Sequence, residues 1–172
     1  MNKKLSSLNI TEGVHVEVQP DFLGISEDDN KYNVFSYRIT IANKSTTTFT
    51  LTHRFWKIID ANGQEETVFG EGVVGYTPTL EPSMTFTYSS ICPLKTLWGT
   101  MEGHFVMQKE DCSTINVTIE RFFLIHPSLL ENNNEKLRNQ KSNKFSINSR
   151  DDKSKNKYLA QENFKEARKN IQ

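Results

Sequence analysis

The chain has 172 residues, with 21 Lys/Arg against 21 Asp/Glu, so its formal net charge is zero. That length suits one domain, or one domain with an extension. The charge balance excludes a bulk attraction to nucleic acid or to an anionic membrane surface, and the lack of any run of 18 apolar residues argues against a spanning helix.

Lys3 and Lys4 open the chain as a signal peptide would, but Thr11, Glu12 and Gly13 interrupt any apolar segment behind them. A cytoplasmic address is the expectation. Cys92 and Cys112 fit it as free thiols, with a bridge between them left open. The neutral total hides an asymmetry. Residues 1–130 carry 10 Lys/Arg against 15 Asp/Glu, and residues 131–172 carry 11 against 6. An acidic body with a basic tail is either ordinary solvated charge or an interaction device.

Alternation with a period of two dominates as far as residue 124. Val14, Val16 and Val18 alternate with His15, Glu17 and Gln19, which predicts a half-buried strand ending at Pro20. Residues 21–31 read as a loop. Phe35, Tyr37, Ile39 and Ile41 then share one face of a second strand, and Asn43-Lys44-Ser45 is a turn. In the next strand the same alternation puts Phe49, Leu51, His53, Phe55 and Lys57 on one face. Thr50, Thr52, Arg54, Trp56 and Ile58 fall on the other. This places His53 on the core side.

Asn62-Gly63 is a hairpin signal, because both residues tolerate positive φ. Glu66–Phe69 is strand-like. The segment Gly70-Glu71-Gly72-Val73-Val74-Gly75 and a turn region with Pro78 and Pro82 follow. Met84, Phe86 and Tyr88 alternate with Thr85, Thr87 and Ser89, and residues 103–107 and 115–123 are further strands, with Cys92 in a loop between. Seven to eight short antiparallel strands predict an all-β sandwich of immunoglobulin-like or fibronectin type III-like architecture over residues 1–130, with a small barrel as the alternative. Trp56, Phe35, Tyr37, Phe86 and Tyr88 furnish the sandwich core or the two sheet faces, or else some of them form an exposed aromatic patch for a partner. Residues 131–157 are Asn-, Lys- and Ser-rich with almost nothing to bury, so residues 131–172 are expected to be a disordered basic tail with a weak helix at 158–170.

The order of these motifs resembles the ApaG family. The residues that carry the resemblance are Tyr32, Phe35, Tyr37, Ile39, Ile41 and Asn43, then Leu51, Arg54, Trp56, Ile58, Asp60, Gly63 and Glu66. They continue through Gly70-Glu71-Gly72-Val73-Val74-Gly75 with Pro78, Leu80 and Pro82, and through Gly99-Thr100-Met101-x-Gly103, Ile119, Phe122, Leu124 and Pro127. The chain departs from the family pattern at Ser83 for Gly, Leu97 for Pro, Phe105 for Tyr and Glu120 for Pro. The resemblance spans about residues 13–130. It implies the sandwich fold, and the family's use as a module in multidomain proteins implies a protein-binding role. Cobalt resistance and magnesium efflux are phenotypes attached to bacterial members.

Gly70-x-Gly72-x-x-Gly75 is formally a GxGxxG. That spacing grips a pyrophosphate only between a strand and a helix, and Val73, Val74, Thr77 and Pro78 do not begin one. Two readings remain. The glycines serve bulges or close backbone approach, or the N–H groups of Gly70, Gly72, Val73, Val74 and Gly75, with Arg54 nearby, form a nest for phosphate or pyrophosphate. His15, His53, His104 and His126 lie on separate segments without ligand spacing. No Gly-x-Ser-x-Gly elbow or activated cysteine is visible. The expectation is a binding module with a protein partner, without catalysis, cofactor or metal, and with no nucleic-acid or membrane partner. Anion or divalent-cation binding is the alternative. Homodimerisation through an edge strand is open to this architecture.

Overall fold

The structure, a computed structural model, describes residues 5–27, 29 and 31–130. Nine strands follow in order: β1 (Ser7–Thr11), β2 (Val14–Ile25), β3 (Asn33–Asn43), β4 (Phe49–Asp60), β5 (Glu65–Glu71), β6 (Thr79–Leu80), β7 (Thr85–Leu94), β8 (Trp98–Lys109) and β9 (Thr114–Ile125). They form two antiparallel sheets, β1-β2-β3-β7 and β5-β4-β8-β9, with the short β6 beside β4. The all-β sandwich stands, with nine strands where seven or eight were expected. Its compact unit ends at His126, and residues 127–130 make one helical turn. The expected tail and its helix at 158–170 lie outside the described residues.

Alternation places Val14, Val16, Val18, Phe35, Ile39 and Ile41 of the first sheet against Phe49, Leu51, Met101, Phe105, Val117 and Leu124 of the second. Each such side chain, fully removed from water, contributes about 1.5–3 kcal/mol. Trp56 sits at the centre with its ring edge-on to Tyr37, Phe105 and Phe122. Phe86 and Tyr88 pack partly buried against this core.

Three irregularities change which residues face inward. The β4–β8 register shifts between Leu51 and His53. The extra residue, Thr52, turns its hydroxyl back onto the Val106 carbonyl at 3.1 Å. Phe49 and Leu51 therefore face the core together with Trp56, while His53 and Phe55 move to the outer face. This overturns the expectation of a core-side His53. In β9 a bulge exposes Glu120 and Arg121 together, between the buried Ile119 and Phe122. In β2 the strand does not end at Pro20 but runs through it to Ile25, with a bulge between Phe22 and Gly24. Pro20 is tolerated because the β1 ladder stops at Ser7, which pairs with Val18, so among the described residues no β1 strand residue stands opposite Pro20 to need the missing N–H. Cys92 likewise lies within β7, not in a loop.

The turns are equally specific. At residues 60–64 only Gly63 has positive φ, so the loop is not the two-residue Asn-Gly turn. The Asp60 carboxylate holds it by accepting from the N–H groups of Asn62 (2.8 Å) and Gln64 (2.9 Å). At the end of β3 the fully buried Asn43 carboxamide donates to the Thr47 and Leu80 carbonyls and accepts from the Ser45 N–H and hydroxyl. All its hydrogen-bonding capacity is used, which is the condition for burying it.

Candidate functional site

One lateral side of the sandwich is closed. Thr11 Oγ1 accepts from the Thr118 N–H at 3.2 Å, and Asn9 reaches the Glu120 carboxylate at 3.4 Å, so β1 lies along β9. The other two sheet edges, β5 and β7, pair among the described residues only with β4 and β3 respectively. The glycine-rich segment leaves the end of β5.

There the chain makes a tight hairpin. The Val73 N–H donates to the Tyr76 carbonyl (2.8 Å) and the Tyr76 N–H to the Val73 carbonyl (2.9 Å). The two residues between them have positive φ, +49° at Val74 and +81° at Gly75. This is the two-residue turn that requires both residues in the left-handed region. Gly72, at φ +54°, has a different reason to be glycine: a Cβ there would overlap the Tyr76 carbonyl oxygen. Its N–H donates to the Thr52 carbonyl at 2.7 Å. Gly70 lies under the Arg54 guanidinium, with Nη1 3.1 Å from where a Cβ would stand.

The structure thus brings together all the residues of the anticipated nest, Arg54, Gly70, Gly72, Val73, Val74 and Gly75. Their polar groups are largely directed at one another. Arg54 Nη1 donates to the carbonyls of Glu71 (2.9 Å) and Gly72 (2.8 Å). The Gly72 and Val73 N–H groups have internal acceptors. No helix follows the segment, so a dinucleotide grip has no place here. The glycines serve a turn and close backbone approach.

What the sequence did not announce is the apolar surface around this hairpin. Val73 is buried, whereas Val74 is 56% and Tyr76 65% exposed. Phe69, on the outer face of β5, is also 65% exposed and stacks on His53 at 5.3 Å with 12° between the rings. Phe55 and His104 stack similarly beside it at 5.1 Å. The Thr52 bulge creates this His–Phe surface by turning His53 and Phe55 outward. Next to it lies a shallow pocket of about 220 Å³ lined by Phe55, Lys57, His104 and Thr118, and by Glu102 and Arg121. Arg121 grips Glu102 through two bonds of 2.8 and 3.0 Å, which hold that carboxyl below its ordinary pKa.

His126 packs edge-on to Phe22. Among the described residues no three His, Cys, Asp or Glu side chains converge as metal ligands would. Cys92 and Cys112 are free thiols, the first buried and the second exposed. Burial pushes the Cys92 thiol up to about 12, with the Glu66 carboxylate adding to the shift. Among the described residues no helix is long and apolar enough to cross a membrane.

Comparison with known proteins places this geometry. The ApaG domain model matches residues 25–109. Protein ApaG of Brucella anthropi is 49% identical over 119 residues, covering 69% of this chain and 92% of that protein. Protein ApaG of Sinorhizobium fredii is 44% identical over 123 residues, covering 70% and 94%. The crystal structure of a putative ApaA protein from Bordetella pertussis superposes with a TM-score of 0.61 at 33% identity, covering 72% of this chain and 97% of that one. An X-ray structure of a structural-genomics target gives a TM-score of 0.65 at 37% identity, covering 68% and 89%. With this identity running over nearly the whole length of its relatives and over both sheets, the chain belongs to the ApaG family.

Proposed function

We propose that the sandwich is a non-catalytic protein-recognition module and that it presents the Val73–Tyr76 hairpin to its partner. The observation that carries this reading is Val74. A β-branched residue at φ +49° costs about 1–2 kcal/mol relative to a relaxed backbone. Asn, Asp or Gly would fill the same turn position without that cost. The Val74 side chain is largely exposed, so it returns little to the core. Strain held at an exposed apolar residue is understandable when the side chain is used outside the fold. Tyr76 beside it is the kind of large amphipathic residue that anchors interfaces.

An anion-binding role has less support, because Arg54 Nη1 and the Gly72 and Val73 N–H groups already have internal partners. The test compares the immobilised full chain with its Val74→Asn and Tyr76→Ser variants for proteins retained from lysate of the source cell. A protein held by the native chain and lost from both folded variants supports the reading. Retention unaffected by either variant contradicts it.

A further inference from the structure

The edge strand β7 is the second feature of the open side, and it is independent of the hairpin. Its ten residues, Thr85–Leu94, include no charged side chain. The neighbouring edge β5 carries Glu65, Glu66 and Glu71. Long edge strands normally carry charge, proline or a bulge, because their free N–H and C=O groups template pairing with another chain. On β7 the proline, Pro93, comes only near the end, and the pairing with β3 is regular from Thr85 to Leu94.

Two observations fix which backbone groups are free. The Asn43 N–H donates to the Met84 carbonyl at 2.9 Å, so the even-numbered residues of β7 face β3. Pro93, which has no N–H, falls on the odd-numbered set, where none is needed for that ladder. The N–H and C=O groups of Thr85, Thr87, Ser89 and Ile91 therefore point away from the sheet, and all four residues are exposed. The free run is bounded at both ends. Before it, the Ser83 N–H is taken by the Asn43 carbonyl. After it, Pro93 has no hydrogen to give. The midpoint of the run is Tyr88.

We propose that β7 is a self-association edge: two copies of this chain pair their β7 strands antiparallel about a two-fold axis at Tyr88, forming one continuous eight-stranded sheet. A two-fold axis requires antiparallel pairing of the same patch. With the axis at Tyr88, Thr85 pairs with Ile91 and Thr87 with Ser89 of the second copy, so that all four free residues on each side are used. Thr and Ile are favourable neighbours on a sheet surface, and the strand has no like charges to oppose. The same operation on β5 would bring Glu residues together. A second copy is favoured over a free peptide because its β7 is already extended. A peptide would lose chain entropy at every residue it ordered.

Sedimentation velocity on the full chain from micromolar to millimolar concentration tests this, with amide hydrogen exchange as a residue-level readout. The native chain should sediment as a dimer, with slow exchange at Thr85, Thr87, Ser89 and Ile91. Ser89→Pro removes an outward N–H and leaves the β3 ladder intact, and Ser89→Lys adds charge at the axis. Each should give a folded monomer, whereas Thr67→Lys on β5 should leave the dimer in place. A monomer at every concentration, fast exchange at those amides, or a dimer that survives both Ser89 variants would overturn the proposal.

Discussion

The three glycines of Gly70-x-Gly72-x-x-Gly75 have three different environments, and alanine substitution should rank them. Gly75 has φ +81° with open space around a Cβ. Gly75→Ala meets only the left-handed backbone penalty, partly offset by a less disordered unfolded chain, for a net loss of about 0.5–1.5 kcal/mol. Gly72 carries the same penalty at φ +54°, and its Cβ would also strike the Tyr76 carbonyl and stand 3.2 Å from Thr77 Cγ2. That carbonyl is backbone and cannot swing aside. The hairpin must open and lose both Val73–Tyr76 hydrogen bonds, each about 0.5–1.5 kcal/mol, which brings the total for Gly72→Ala to about 3 kcal/mol. Gly70 has no positive φ, and its added methyl meets only the end of the Arg54 side chain, so Gly70→Ala should cost about 1 kcal/mol or less. Urea unfolding followed by the fluorescence of the buried Trp56 reads all three, with unchanged m-values as the check on two-state behaviour. If Gly75→Ala or Gly70→Ala costs as much as Gly72→Ala, the steric account of the segment is wrong.

Other expectations follow from single residues. Ser83 (φ +70°) and Cys112 (φ +65°) occupy left-handed positions that glycine fills freely, so Ser83→Gly and Cys112→Gly should each raise stability by about 0.5–1 kcal/mol, read as a Tm rise of roughly 2–4 °C. Glu102 titrates below its unfolded value because of Arg121, so the stability it adds is present above the unfolded pKa and fades as pH falls through the folded one. The pair is surface-exposed and contributes about 0.2–1 kcal/mol at neutral pH. Glu102→Gln should therefore be less stable than the native chain at pH 7, and the difference should shrink as pH falls below the ordinary glutamate range, in paired urea titrations. A thiol reagent at pH 8 should modify Cys112 quickly and Cys92 only after denaturation. Burial leaves Cys92 about one part in ten thousand thiolate at that pH. The Tyr88 hydroxyl is buried without a hydrogen-bond partner among the described residues. Tyr88→Phe should leave the fold as stable or raise it by up to about 1 kcal/mol, measured by the same unfolding curves.

Much of the sandwich can be read in the sequence because apolar residues alternate cleanly in β2 as far as Pro20, in β3 and in β9 as far as Ile119. What misled was anything that shifts the alternation by one residue. Nothing in Thr50-Leu51-Thr52-His53 marks Thr52 as a bulge, so simple alternation puts His53 and Phe55 on the wrong face. Strand β1 escaped notice because its pattern is inverted. Leu8 and Ile10 are exposed, while Ser7, Asn9 and Thr11 turn toward β9 and bond to Glu120 and Thr118. At the candidate site the glycine spacing and the nearness of Arg54 were legible, but the direction of the polar groups was not. Whether an N–H faces a neighbouring carbonyl or an open cradle depends on the backbone path. The strain at Val74 was hidden for the same reason, since valine is a poor choice for a left-handed turn and no sequence rule places it there.

The central claim is that the hairpin around Val74 is the surface a partner protein touches. Photo-crosslinking from a benzophenone amino acid at position 74, with position 62 on the 60–64 loop as control, tests it most directly in lysate of the source cell. The account predicts a discrete protein adduct from position 74 and none from position 62. No adduct from position 74, or the same adducts from both positions, would contradict it.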